Sequence, residues 1–134
     1  MIYIGIDTGV NTGVAVWSIL EQKFISVFSC KILEAFNFVL DINEETTITL
    51  IIEDARKRKW YGDNAESKRQ GAGSIKRDCQ IWEDFAQMYN IESFFVHPKR
   101  NMTKLNAKTF RQITGWQGRT NEHSRDAAML VFKR

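Results

Sequence analysis

Short apolar runs recur along the chain, each bounded by polar or glycine-containing turns. Such runs predict β-strands, here over residues 2–7, 14–18, 24–28, 48–53 and 93–97. Short polar turns join the first three strands, which favours an antiparallel meander. The fourth run has only Thr49 as a polar break before its final glutamate. That continuity is typical of a central strand covered on both faces.

Helical periodicity separates the later strands. Residues 31–41 place apolar side chains at the spacing of one helix face. A helix there provides a crossover, so that strand 48–53 lies parallel to strand 2–7. Ser74 is a suitable N-cap for a long helix that continues to about Tyr89. Two further helices are expected over 103–113 and 122–132, with loops over 55–73 and 115–121.

This order of elements predicts an α/β fold, in which helices flank a five-stranded mixed sheet built from an antiparallel meander and parallel strands. A length of 134 residues suits one domain over 1–134. No stretch approaches the roughly 20 apolar residues of a membrane span. The N-terminus lacks the basic region of a signal peptide, so we expect a cytoplasmic protein. Cys30 and Cys79 show no ligand spacing and are expected to be reduced thiols.

The charges are segregated along the chain, although the net charge is only +3. Residues 55–77 and 97–134 carry net charges of +6 and +7, whereas residues 1–54 and 78–96 carry −6 and −4. Two basic blocks in an otherwise acidic chain indicate a localised surface for a polyanion. Solvated loop charge explains either block alone equally well.

Carboxylates stand at the ends of two predicted strands. Asp7 ends the first strand, and Glu53 and Asp54 end the fourth. Parallel neighbours bring these ends to one edge of the sheet, where ligands commonly bind. His123 and Asp126 are three residues apart and share a face of the last helix. Clustered carboxylates are costly to bury without a cation, and Mg²⁺ prefers oxygen ligands.

Each of these acids also has a simpler interpretation. Asp7 before Thr-Gly is suited to a turn. His123 and Asp126 suit the N-terminal turn of a helix, where an acid complements the helix dipole. Asp54 replaces Glu53 as the inward-facing acid if the strand register differs by one residue.

The basic blocks supply candidate DNA contacts. The run Arg56-Lys57-Arg58-Lys59 is followed by Trp60 and Tyr61, and such a segment binds phosphates and stacks on unpaired bases. A flexible basic loop with one anchored aromatic residue is the simpler alternative. The predicted DNA-binding residues are Arg56, Lys57, Arg58, Lys59, Trp60, Tyr61, Lys68, Arg69, Lys76, Lys99, Arg100, Lys104 and Lys108.

Three segments together resemble a known family. IGIDTGVNTG at 4–13, IIED at 51–54 and HSRDAAML at 123–130 resemble the motifs of RuvC-type Holliday junction resolvases, in the ribonuclease H-like superfamily. The segment QGAGSIKRDCQIWEDF at 70–85 is similar to that of small RuvC-like proteins from bacteriophages. For a phage-encoded protein, the expected location is the cytoplasm of the bacterial host.

The resemblance implies a catalytic acidic cluster of Asp7, Glu53 and Asp126, with His123 at a fourth position where many relatives have aspartate. It implies two Mg²⁺ ions, for which Mn²⁺ substitutes, bridged by Asp7 and used in phosphodiester hydrolysis. It also implies a homodimer on four-way junction or other branched DNA, with the helix from Ser74 as the dimer element.

Other functions stay open at this point. A ribonuclease H-like nuclease with a broader substrate range would cleave flaps or RNA–DNA hybrids. A structure-specific DNA binder would use the basic blocks without catalysis. The segment from Asp7 to Gly13 also resembles the first phosphate loop of the actin, Hsp70 and sugar-kinase superfamily, although those proteins use two such domains around a nucleotide.

Overall fold

The computed structural model describes residues 1–57, 65–98 and 104–134, and for residues 65–72 and 75 it describes the backbone alone. Five strands form one sheet in the order β3-β2-β1-β4-β5. The first three strands pair antiparallel, while β1 with β4 and β4 with β5 pair parallel. This arrangement confirms the predicted mixed sheet. The strands are β1 (Ile2–Asp7), β2 (Asn11–Ser18), β3 (Lys23–Lys31), β4 (Ile48–Glu53) and β5 (Glu92–Val96).

Helices cover both faces of the sheet. All six residues of β4 are buried, as its continuous apolar run predicted. One core layer packs α1 and α2 against the sheet, and the other packs α3 and α4 against the opposite face. Within the described residues, no helix is long and apolar enough to cross a membrane. The helices are α1 (Ile32–Glu45), α2 (Ala65–Met88), α3 (Ala107–Thr114) and α4 (Glu122–Val131).

Helix α2 begins at Ala65, so the predicted start at Ser74 and the predicted loop over 55–73 are wrong. Gly71 and Gly73 each disfavour a helix by about 1 kcal/mol. Once a helix is nucleated, however, each added residue gains a backbone hydrogen bond, and the helix continues through both glycines. A short 3₁₀ turn occupies Ala55–Lys57.

Helix α3 begins four residues later than the predicted 103. The Asn106 side chain accepts a hydrogen bond from the Thr109 backbone N–H and caps the helix there. Lys104 has a φ of +66°, which a helix does not allow. The Asn106 cap, rather than the basic segment before it, therefore determines where α3 begins.

The apolar face of α2 lies against the sheet. Cys79 and Trp82 are fully buried and Phe85 is nearly so, and the Phe36 ring of α1 packs on both aromatic residues. Tyr89 follows the helix and is 46% exposed. Cys30 and Cys79 are free thiols, as predicted.

Candidate metal centre

The ends of β1 and β4 place two carboxylates side by side. The parallel register pairs Ile6 with Ile52, so Asp7 and Glu53 occupy the next position on neighbouring strands. Parallel strands lie about 4.8 Å apart. Glu53 is 5% exposed and the Asp7 side chain 17% exposed. Both acids are therefore held in a largely desolvated position at the same edge of the sheet.

Two glycines bring helix α4 onto this edge. Gly13 lies directly opposite Asp7 in the β1–β2 pair. A Cβ atom at Gly13 would overlap the backbone carbonyl of His123, and one at Gly5 would overlap the carbonyl of Ala127. The helix backbone thus sits against the strand backbone, which places His123 and Asp126 over Asp7. Gly5 and Gly13 were the sequence signal for this contact, because glycine inside a strand often marks the close approach of another backbone.

The first turn of α4 is capped by Asn121. Its side chain accepts from the Ser124 backbone N–H, and the Ser124 hydroxyl accepts from the Asn121 N–H. His123 and Asp126 are consequently not needed as caps. Instead, His123 Nδ1 lies 3.0 Å from Asp7 Oδ2, a hydrogen bond across 116 residues of sequence.

The charges at this edge interact strongly. Burial raises the pKa of Asp7 to about 7; the hydrogen bond from His123 opposes this rise, and the negative charges of Asp126 and Glu53 add to it. Burial also raises the pKa of Asp126, although the backbone hydrogen bond from Lys104 opposes that rise. Asp7 is therefore costly to ionise beside Asp126 and Glu53, burial makes ionisation of Asp126 costly as well, and a bound cation would relieve both costs.

Asp54 is committed to a different contact. Its side chain is 5% exposed and accepts from Arg56 Nε at 2.8 Å and from a second Arg56 nitrogen at 3.0 Å. Burial works against ionisation, but these hydrogen bonds and the arginine charge lower the pKa of Asp54. Of the two adjacent acids, Glu53 is the one beside Asp7, and the geometry favours it as the candidate ligand.

No family model and no curated protein matches this sequence. Four chains of solved structures match the fold. One is Thermus thermophilus RuvC in complex with a Holliday junction substrate, at a TM-score of 0.60 and 16% identity, over 98% of this chain and 90% of that one. This chain has the ribonuclease H-like fold. The likeness to RuvC covers the whole sheet and its helices, which confirms the predicted fold class.

On this ribonuclease H-like fold, the acidic side chains lie near one edge of the sheet but do not form a compact cluster. Within the described ranges, no group of three or more His, Cys, Asp or Glu side chains lies close enough to hold a metal ion. Asp7 forms a hydrogen bond with His123 at 3.0 Å. The donor set still suits Mg²⁺, because it consists of carboxylate oxygens with one imidazole. Asp7, Glu53, His123 and Asp126 stay predicted ligands.

The predicted DNA-binding residues fall in several places. Lys76 and Lys108 are exposed on α2 and α3, and the Lys57 ammonium donates to the Phe95 carbonyl at 3.3 Å. Lys104 forms an ion pair with Glu122 at the start of α4. The side chains of Arg58, Lys59, Trp60, Tyr61, Lys68, Arg69, Lys99 and Arg100 lie outside the described structure. All of these DNA contacts stay predictions.

Arg56 has a structural role that its place in a basic run did not indicate. Besides Asp54, it contacts Glu83 of α2 at 2.7 Å, and its guanidinium lies 5.1 Å from the centre of the Phe95 ring. It therefore joins the end of β4 to both α2 and β5.

We expect Arg56→Gln to lower the free energy of unfolding by about 2 kcal/mol, because it leaves the buried Asp54 carboxylate without its charged donor. Urea denaturation at pH 7 measures this change. Lys57→Gln is the matched control, since within the described residues the Lys57 side chain donates to the Phe95 carbonyl alone, and we expect a change of less than about 0.5 kcal/mol. Equal stability of Arg56→Gln and wild type would show that the contact contributes little.

Proposed function

We propose that this protein is a divalent-metal-dependent endonuclease that cleaves four-way junctions or other branched DNA. The observation that carries the proposal is that Asp7 and Glu53 occupy adjacent positions at one edge of a ribonuclease H-like sheet, where His123 of α4 bonds to Asp7 and the charge of Asp126 acts on it. The likeness to RuvC, solved in complex with a Holliday junction substrate, supports junction DNA as the substrate class. The two basic blocks supply phosphate contacts.

Asp7, Glu53, Asp126 and His123 would hold two Mg²⁺ ions, or Mn²⁺ in their place. The bound ions would supply an activated water and stabilise the leaving oxygen of the scissile phosphodiester. The protein's own contribution is to hold the carboxylates in a poorly solvated position with His123 against Asp7. Because the pKa of Asp7 is about 7, protons compete with cations at this carboxylate, and cation affinity should rise with pH through neutrality.

The test is cleavage of four substrates in Mg²⁺: a four-way junction, a flap, a linear duplex and an RNA–DNA hybrid. We expect paired, symmetric nicks in the junction and no comparable cleavage of the duplex. Preferential cleavage of the flap or the hybrid would replace the junction with one of those substrates. No cleavage of any substrate, in either Mg²⁺ or Mn²⁺, would contradict the nuclease assignment.

We further propose that the protein acts as a homodimer, because two symmetric nicks in a four-way junction require two sites. An apolar groove between α1 and α2 supports this arrangement. Leu33 and Met88 there are 70% and 75% exposed, and Ile81 and Tyr89 are 38% and 46% exposed. The buried face of α2 covers the sheet, so its flank is the part that a second copy would contact.

Ile81→Glu should convert the dimer to a monomer, because it places a charge in an apolar interface. Light scattering coupled to size exclusion measures the mass at micromolar concentration. Ile113→Glu is the matched control: Ile113 is 40% exposed, close to the 38% of Ile81, but lies on α3. A monomeric wild type, or a dimer that survives Ile81→Glu, would contradict this interface.

A further inference from the structure

Lys104 holds an unusual backbone conformation beside the candidate metal centre. Its φ of +66° lies in the left-handed region, which is strained for a residue that carries a Cβ atom. Strain of this kind persists only where surrounding contacts hold it, and it concentrates at functional sites. The contacts that hold Lys104 therefore indicate what the conformation achieves.

Three contacts tie residues 104 and 105 to α4. The Lys104 backbone N–H donates to Asp126 Oδ1 at 3.2 Å, and the Lys104 ammonium lies 2.7 Å from Glu122 Oε1. The Leu105 carbonyl accepts from Arg125 Nε at 2.6 Å. The segment thus crosses the first two turns of α4, next to Asp126.

The side-chain ion pair does not explain the strained backbone. The side chains of Lys104 and Glu122 are 78% and 53% exposed, and exposed ion pairs contribute little to stability. Asp126, in contrast, is only 8% exposed. A hydrogen bond from a backbone N–H to a buried carboxylate contributes more than an exposed ion pair and offsets the strain.

We propose that Lys104 is a positioning residue of the metal centre and acts through its backbone. Its left-handed conformation directs the N–H group at Asp126 and fixes the rotation of that carboxylate relative to Asp7. The role does not require the ammonium group, which remains separate as a predicted DNA contact. This inference rests on the proposed function, because it takes Asp126 to be a metal ligand.

Lys104→Asn and Lys104→Val separate the backbone from the charge. Both remove the ammonium group, but asparagine accepts the left-handed region and β-branched valine does not. We expect Mn²⁺ to bind the Val variant about tenfold more weakly than the Asn variant, in line with other residues that orient metal ligands. Calorimetric titration of the full chain with Mn²⁺, without DNA, measures both affinities. Equal affinities of the two folded variants would overturn the proposal.

Circular dichroism and urea unfolding establish that both variants are folded. If Lys104→Val does not fold, Lys104→Gly and Lys104→Ala form a milder pair, in which glycine should bind Mn²⁺ about threefold more tightly because it adopts the left-handed region without strain. Equal affinity within this pair would overturn the proposal in the same way.

Asp126→Asn distinguishes this inference from the function on which it rests. A loss of Mn²⁺ affinity in Asp126→Asn, together with equal affinities of Lys104→Asn and Lys104→Val, would leave the metal centre intact and remove only the role of Lys104. Unchanged Mn²⁺ affinity in Asp126→Asn would remove Asp126 from the metal centre, and with it the proposed function.

Discussion

Asp7→Asn is expected to reduce junction cleavage by at least about 10³-fold, while the protein still binds the junction. The amide lacks the negative charge with which Asp7 would bind the cations. Weaker cation binding would cost several kcal/mol of transition-state stabilisation, which corresponds to a rate factor of this size. Single-turnover cleavage in Mg²⁺ measures the rate, and a gel-shift assay in Ca²⁺ measures binding. Asp41→Asn is the control, since Asp41 is an exposed carboxylate on α1. Full activity of Asp7→Asn would exclude Asp7 from the site.

The same substitution should make the metal-free protein more stable at high pH. The pKa of Asp7 is raised from 3.8 to about 7 in the folded state, so ionisation of this carboxyl opposes folding. The stability that the protonated Asp7 carboxyl contributes is fully present below pH 4 and is lost as the pH rises through 7. Asparagine does not titrate and can still accept the hydrogen bond from His123. The stability advantage of Asp7→Asn should therefore grow with pH.

Urea unfolding at pH 4 and pH 8, in the presence of a chelator, measures this difference. Between the two conditions the advantage of Asp7→Asn over wild type should increase by on the order of 3 kcal/mol. Saturating Mn²⁺ at pH 8 should stabilise the wild type and not the variant, because only the wild type binds the ion. If the stability difference between Asp7→Asn and wild type does not change with pH, ionisation of Asp7 does not destabilise the folded protein.

Gly13→Ala is expected to destabilise the protein by about 3 kcal/mol or more. A Cβ atom at this position would overlap the backbone carbonyl of His123, and backbone cannot rotate away as a flexible side chain can. Helix α4 would have to move off β2, which exposes its buried residues Ala127, Ala128 and Val131. Because α4 also carries Asp126, Mn²⁺ affinity should fall together with stability.

Gly73→Ala provides a control of opposite sign. Gly73 lies in α2, and among the described residues no atom outside its own helical turn lies within 4 Å of the position a Cβ would occupy. Alanine there should stabilise the protein by about 0.5–1 kcal/mol through its higher helix propensity. Urea unfolding of both variants tests the pair. If Gly13→Ala were as stable as wild type, the close contact between α4 and the sheet would not be a constraint.

The pattern of apolar and polar residues along the chain predicted the mixed sheet correctly but misplaced the starts of α2 and α3. The continuous apolar run of β4 and the short turns of the meander depend on neighbours in sequence, and the antiparallel meander and the parallel pairing of β4 with β1 followed from them. The start of α2 did not, because two glycines and a basic stretch have the composition of a loop. Whether a helix continues through them depends on what the rest of that helix packs against.

The partners of individual charged side chains could not be predicted from the local sequence either. Arg56 belongs to a basic run, but its partners are Asp54 nearby and Glu83, which is 27 residues away along the chain. The hydrogen bond between Lys104 and Asp126 likewise joins residues 22 positions apart. Composition indicates that a segment is basic, whereas the positions of other elements decide which carboxylate or phosphate each cation can reach.

The sequence alone determined the strands, the meander of the first three and the acids at the ends of β1 and β4, because alternation, run length and turn chemistry are local properties. Only the tertiary structure decided that Gly5 and Gly13 seat α4 on the sheet, and that Asp7 bonds to His123 rather than to solvent. These contacts join positions far apart in the chain. Their energies depend on backbone separations and burial, and neither quantity is encoded in any short segment.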